Sequence, residues 1–237
     1  MKLFLVLFAC ITLGTLSAQT NIQYRKSAWG LHFAPSLSYR SLNFEKNQQH
    51  VEAARDKAER PAFSYSVGLY YQRKTHNNNA IETSISFASL EYQTGKTSLS
   101  WETPGPALPT EVRTKYQYQY LQLSAGYRYR LFGRESNIFI IPSMYGAALI
   151  QQKTIVNTDG NQQSNRTVST SRGGYRDVDL GFQLGAGMEF TVSRRIRVSL
   201  EPFYKRSVSS LLAVGKNREF LYQAGLQTKV YLLRIRK

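Results

Sequence analysis

The chain has 237 residues and a formal net charge of +16, from 31 lysines and arginines against 15 aspartates and glutamates. Its one cysteine, Cys10, lies in the first twenty residues, which excludes disulfides and thiol catalysis from everything after them. A basic excess of this size suits nucleic acid or an anionic surface, and the first element decides between the two.

Residues 1–18, MKLFLVLFACITLGTLSA, combine one lysine, an apolar run and small residues around Ser17-Ala18-Gln19, the pattern of a secretory signal cut near 18–20. Cys10 sits in a lipoprotein-like Leu-Phe-Ala-Cys, but a cut there would leave too short an apolar region. Export makes a membrane surface, not nucleic acid, the expected partner of the charge. No later stretch reaches the roughly 18 apolar residues of a membrane helix; the best, 139–150, is short and contains Pro142. The expected organisation is a signal peptide over 1–18, a periplasmic segment over 19–28 and a single domain over 29–237.

That domain alternates with period two, the signature of strands. In 29–39, Trp29, Leu31, Phe33, Leu37 and Tyr39 oppose Gly30, His32, Ala34, Ser36 and Ser38. The run 45–61, EKNQQHVEAARDKAERP, has a helix-like centre with Val51, Ala54 and Ala58 recurring on one side and Pro61 at its end, a candidate cap for a barrel mouth. Alternation resumes over 63–71 and 81–88, then over 120–131, where Leu121, Leu123, Tyr127 and Tyr129 oppose Gln122, Ser124, Arg128 and Arg130. The fifth run, 137–152, has mixed faces and Pro142 in its middle, so it shows no clean phase. In 178–192 every second residue is apolar, from Val178 to Val192, while the other face carries Asp179, Gly181, Gly185, Gly187 and Glu189. Runs 195–205 and 222–233 complete a set of eight.

The connections alternate in length: 44–62, 95–111, 153–176 and 209–220 are long, while 74–79, 132–137 and 193–195 are short. Eight strands with this asymmetry predict an all-β, antiparallel up-and-down transmembrane barrel with long extracellular loops and short periplasmic turns. The competing architecture is a soluble, lipocalin-like barrel. Here tyrosine gathers with the aliphatic residues, as in a membrane girdle, and glycine and serine gather with the charges, as in a crowded polar lumen. The bacterial outer membrane is therefore the expected location.

The runs YQYQYLQLSAGYRYRL, GFQLGAGMEF, VSLEPFYKRSVSSLL and GLQTKVYLL, in this order and spacing, resemble the outer-membrane β-barrel domain family that includes PorT-like proteins. The resemblance covers essentially the whole mature chain and implies a small eight-stranded barrel in the outer membrane. Ser124 stands where the family often has proline, and Leu-Arg-Ile-Arg-Lys replaces the aromatic final residue common in barrels.

The expected lumen charges are Glu82, Arg128, Arg130, Asp179, Glu189, Arg197, Glu201 and Lys229, joined by Lys205. Both signs in so narrow a space predict salt bridges that fill it. An enzyme would need a base beside a nucleophile. The histidines are His32, His50 and His76; His32 shares a face with Ser36 and Ser38, and an acid–imidazole site would need Asp177 or Asp179 near His50. These are isolated matches, so no catalytic, cofactor or metal residues are expected, and the glycines of GAGMEF lie within a strand, not at a phosphate loop.

Two features exceed this background. Basic residues gather at the periplasmic rim: Arg25, Lys26, Arg73, Lys74, Arg134, Arg194, Arg195, Arg234, Arg236 and Lys237, with Glu135 the one acid there. Anionic headgroups or an acidic periplasmic partner would suit them. Upstream of the fourth strand, VRTKYQYQY suggests a projecting hairpin with Tyr116, Tyr118 and Tyr120 as partner-binding anchors on one face. The expected role is a structural or accessory subunit of an outer-membrane complex, contacting lipid and other outer-membrane or periplasmic proteins; the alternatives are an autonomous surface binder and a membrane-embedded enzyme.

Overall fold

The computed structural model describes residues 27–44, 49–75, 79–101, 109–131, 137–160, 164–170, 174–193, 195–213 and 217–232. The predicted signal peptide lies outside these residues. The elements are β1 (Ser27–Asn43), α1 (Gln49–Ala58), β2 (Glu59–Lys74), β3 (Ala80–Thr94), β4 (Thr97–Ser98), β5 (Pro109–Arg130), β6 (Ile138–Gly160), β7 (Ser164–Thr170), β8 (Val178–Thr191), β9 (Ile196–Ser207) and β10 (Arg218–Leu232). Eight of the strands close a ring in the order β5-β3-β2-β1-β10-β9-β8-β6, sealed by the β5–β6 pair. Every ladder is antiparallel. Closure leaves no unpaired edge around the ring, the condition for crossing a bilayer with strands. No described helix is long and apolar enough to cross a membrane.

Period two places the apolar set outside. On β1, Trp29, Leu31, Phe33 and Leu37 are exposed while Ala28, His32, Ala34, Ser36, Ser38 and Arg40 face inward and are buried. Aromatic residues bound the outward belt at both ends, with Trp29 and Tyr71 in ring contact at the short-turn end and Tyr204 beside Tyr222 at the long-loop end. From Trp29 to Tyr39, at about 3.3 Å per residue and a tilt of about 40°, the belt is about 25 Å tall, the height of the apolar band of a transmembrane barrel. Beyond it the outward face of β3 and β5 turns polar, and Gln117 Nε2 donates to Glu91 Oε1 at 2.7 Å and to Ser89 Oγ at 2.9 Å.

The fifth run, unphased in sequence, becomes β6 with Phe139, Ile141, Tyr145, Ala147 and Leu149 buried and Pro142 outward. Its faces look mixed because its lumen side is itself apolar and aromatic. Pro142 has no N–H to donate, and the β5–β6 ladder skips there from Gly126↔Ser143 to Tyr129↔Ile140.

The expected long loop 153–176 is largely strand instead, and 95–111 contains β4 and the start of β5. β5 and β6 stay paired as far as Pro109↔Gly160, whereas β3 leaves β5 at Gln93↔Lys115 and β8 leaves β6 at Ala148↔Val178. Beyond those points β4 runs along β5 and β7 along β6. The result is a four-stranded wall, β4-β5-β6-β7, standing above the ring. Helix α1 forms where its spacing predicts, but Val51, Ala54 and Ala58 are exposed and no α1 residue is buried. Polar contacts hold it instead: Phe44 N donates to Glu52 Oε2 at 2.9 Å and Tyr39 Oη to Asp56 Oδ1 at 3.4 Å. The helix ends at Ala58, and Pro61 already lies in β2.

Candidate functional site

All eight expected lumen charges face the interior. In the half toward the short turns, seven of them form one network around Arg128 of β5, whose side chain is fully buried. Its guanidinium donates to Glu82 of β3, to Glu189 of β8 at 2.6 Å, to Glu201 of β9 at 3.2 Å and to Tyr231 Oη of β10 at 2.5 Å. Lys229 bridges Glu82 at 2.8 Å and Glu201 at 2.6 Å, while Arg197 and Arg130 share Glu189 at 2.5 and 3.3 Å. The Phe139 ring lies 3.8 Å from the Arg128 guanidinium carbon, and Tyr70 stacks edge-on against Tyr231. Alternating strands bring this about: residues far apart in the chain meet because each stands on the inward parity of its own strand.

Glycines make the room. A Cβ on Gly187 would lie 2.7 Å from Glu201 Cγ, and one on Gly181 would lie 2.5 Å from the Tyr145 ring. The tiny face of β8 is therefore the space into which neighbouring strands project large side chains.

Asp179 stands apart from the network, nearer the outer mouth. It accepts hydrogen bonds from Ser207, from Ser209 Oγ at 2.6 Å and from Tyr145 Oη at 3.1 Å. Lys205 lies between the two groups, donating to Gln122 Oε1 and resting 4.0 Å from the centre of the Tyr145 ring. A cavity of about 30 Å3 remains in mid-lumen, lined in part by His32, Ser86, Gln122, Lys205 and Lys229.

The outer mouth holds a second ionic group. Arg40 of β1 binds Glu59 of β2 and, at 2.5 Å, Glu219 of β10. Its guanidinium carbon lies 4.3 Å from the centre of the Tyr92 ring, which stacks on Tyr116 at 4.9 Å and on Tyr118 at 6.0 Å. Tyr118 meets Tyr175 edge-on, and Leu90, Tyr120, Tyr145, Leu211 and Leu221 pack into the same cluster. Arg55 ties α1 to this group through Glu59 and Glu219, both at 3.5 Å.

Tyr116, Tyr118 and Tyr120 are therefore not surface anchors. Tyr118 is 0% and Tyr120 1% exposed. The physical reason is parity: these tyrosines share the face of lumen-directed Gln122, and at the mouth Tyr118 and Tyr120 are buried and Tyr116 is half-buried against Tyr92. Continuing the alternation of strand four upstream from Leu121 would have found this. Others were also missed: Arg40, Tyr92 and Glu219 lie on the inward parity just beyond the runs 29–39, 81–88 and 222–233, Tyr145 lies in the unphased run 137–152, and Tyr231 shares the polar face of Lys229 in 222–233.

Of the basic rim, Arg73 and Arg195 are exposed at the short-turn end and Lys74 is half-buried there. Arg134, Arg194, Arg234 and Arg236 lie outside the described residues, as do Arg25, Lys26, Lys237 and His76. His32 is buried beside the cavity, but Ser36 donates to Ser64 O and accepts from Gln223, and Ser38 bonds Ser64 and Glu91. Among the described residues no hydroxyl is held against its imidazole. His50 stands on exposed α1 and Asp177 is exposed, so neither joins Asp179 in an acid–imidazole site. Among the described residues no group of three or more His, Cys, Asp or Glu side chains could hold a metal ion.

A closed ring with an outward apolar belt and an ion-paired interior is the physical pattern of a membrane barrel, and the family model for the outer membrane protein beta-barrel domain matches residues 6–210. The chain belongs to that family. It is an outer-membrane protein, with the long-loop end extracellular and the short turns periplasmic. Among solved structures, the barrel is similar to Neisserial surface protein A at 10% identity, covering 87% of this chain and 97% of that one with a TM-score of 0.42. It is also similar to Ail, the attachment invasion locus protein of Yersinia pestis, at 10% identity over 87% and 99% of the two chains with a TM-score of 0.38. The translocator domain of the autotransporter NalP from Neisseria meningitidis aligns at 7% identity over 95% and 92% with a TM-score of 0.33. No curated protein matches the sequence.

Proposed function

We propose that this outer-membrane barrel is a non-enzymatic structural or accessory subunit of an outer-membrane protein complex, and that it meets its partner through the extracellular wall β4-β5-β6-β7. One observation carries the reading. Most of the lumen is filled by paired charges and aromatic rings, while β5 and β6 spend additional residues on a wall above the ring whose last strand, β7, pairs on one side alone. Such an edge offers unpaired backbone groups to an added strand, and Val168 on β7 is exposed. The basic residues Arg73, Lys74 and Arg195 give the periplasmic end a complementary surface for anionic headgroups or an acidic partner.

The test is affinity capture of the tagged protein from detergent-solubilised outer membranes, with partners quantified by mass spectrometry. The expected result is one or more stoichiometric outer-membrane partners, lost from Val168→Lys, which places a charge on the edge strand and leaves the ring untouched. Recovery of the barrel alone after crosslinking in intact cells would overturn the subunit reading and favour an autonomous surface binder.

A further inference from the structure

Among the described lumen cations, Lys205 stands outside the ion pairs. Between the two mouths, Arg128, Arg130, Arg197, Lys205 and Lys229 face Glu82, Glu189, Glu201 and Asp179. Glu82, Glu189 and Glu201 are each shared by at least two cations, and Asp179 is held by two serines and a tyrosine. Lys205 is 5% exposed and takes part in none of these ion pairs; it has one hydrogen-bond acceptor, Gln122, and the face of Tyr145. An ammonium carries three donors, and burying it with no carboxylate within ion-pair distance is costly.

The mid-lumen cavity supplies the missing partner's place. Lys205 and Lys229 both line it, along with Ser66, Ser86 and the Ser84–Ser124 hydroxyl pair. His32 also lines it, is 3% exposed, and its Nδ1 has no hydrogen-bond partner. Glu82 and Glu201 touch the same space, but their oxygens are engaged by Arg128 and Lys229. At about 30 Å3 the cavity admits a particle the size of one or two waters and nothing larger.

We propose that this cavity is a binding site for a single monatomic anion of the chloride class, held by the ammonium of Lys205 with His32 and the serine hydroxyls as hydrogen-bond donors. The anion supplies Lys205 with the counter-charge that no carboxylate provides within ion-pair distance and fills the remaining space of the lumen. Its size limit excludes sulfate, phosphate and organic anions, and its burial makes it a resident ion.

The test uses the full barrel in detergent micelles. Crystals grown or soaked in sodium bromide are expected to show an anomalous peak between Lys205 Nζ and His32 Nδ1. In parallel, the unfolding midpoint measured at constant ionic strength is expected to rise with bromide or chloride, saturably and by roughly 5 °C at a hundredfold excess over Kd. Sodium sulfate should give no such rise, and Lys205→Met should abolish it. Bromide found on the exterior alone, or a halide response that is the same in wild type and Lys205→Met, would overturn the proposal. The diffraction arm needs no variant, so a failure of Lys205→Met to fold leaves the proposal open to refutation.

Discussion

Arg40 and Tyr92 lie across the outer mouth with the guanidinium carbon 4.3 Å from the ring centre, and this contact joins the ionic group of β1, β2 and β10 to the tyrosine stack of β3 and β5. The mouth is thus one unit of charge and aromatic surface, set in series with the Arg128 network below it. Two seals in series predict a conditional result. In planar bilayers, Arg40→Ala and Arg128→Ala are each expected to stay at the baseline of wild type, and the double variant to show a small cation-selective conductance, since the carboxylates left behind line the path. Conductance in either single variant would show that one seal carries the closure alone.

Removing Arg128 also tests the network as a structural device. Breaking a buried ion pair by deleting one partner costs about 3–5 kcal/mol, and Arg128 serves three carboxylates. Arg128→Met is expected to lower stability in urea by at least that amount, while Glu82→Gln with Arg128→Met together should recover part of the loss. The readout is the urea midpoint of the heat-modifiable gel shift.

The glycine face of β8 separates two roles that look alike in sequence. A Cβ at Gly181 would stand 2.3 Å from the backbone oxygen of Arg206 and 2.5 Å from the Tyr145 ring, whereas one at Gly185 would meet nothing closer than 3.8 Å. Gly185→Ala is therefore expected to fold with wild-type stability. Gly181→Ala must shift both the β9 backbone at Arg206 and the Tyr145 ring and should cost about 1–3 kcal/mol, as overpacking does. Equal effects in the same urea titration would refute this assignment of space.

The limits of the outward belt can be placed by charge. Leu123 is exposed at 61% in the middle of the belt on β5, and Gln119 stands on the same face above it. Leu123→Arg is expected to destabilise the barrel in lipid vesicles by about 2–4 kcal/mol and Gln119→Arg by no more than about 1 kcal/mol. The contrast should shrink in detergent micelles, whose apolar thickness adapts to the protein.

The fold was legible in the amino-acid sequence because a membrane barrel obliges each strand to divide its residues between lipid and lumen, and a period of two survives without any knowledge of neighbours. That rule placed all eight lumen charges inward, from Glu82 to Lys229, and put the glycines of 178–192 on the crowded side. Carried one residue past Tyr39 and upstream from Leu121, it would also have placed Arg40, Tyr116, Tyr118 and Tyr120 inward. Other features no periodicity could supply. Glu59 points into the mouth although its odd position is the outward one for the rest of β2, because the ladder shifts register between Pro61 and Tyr65. The wall exists because β5 and β6 continue pairing after β3 and β8 have left them, and the meeting of Arg128 with Glu82, Glu189 and Glu201 depends on the shear of a closed ring. Alternation records which side of its own strand a residue occupies. Which residues meet across the lumen depends on register and closure, and these are properties of pairs of strands that only the tertiary structure decides.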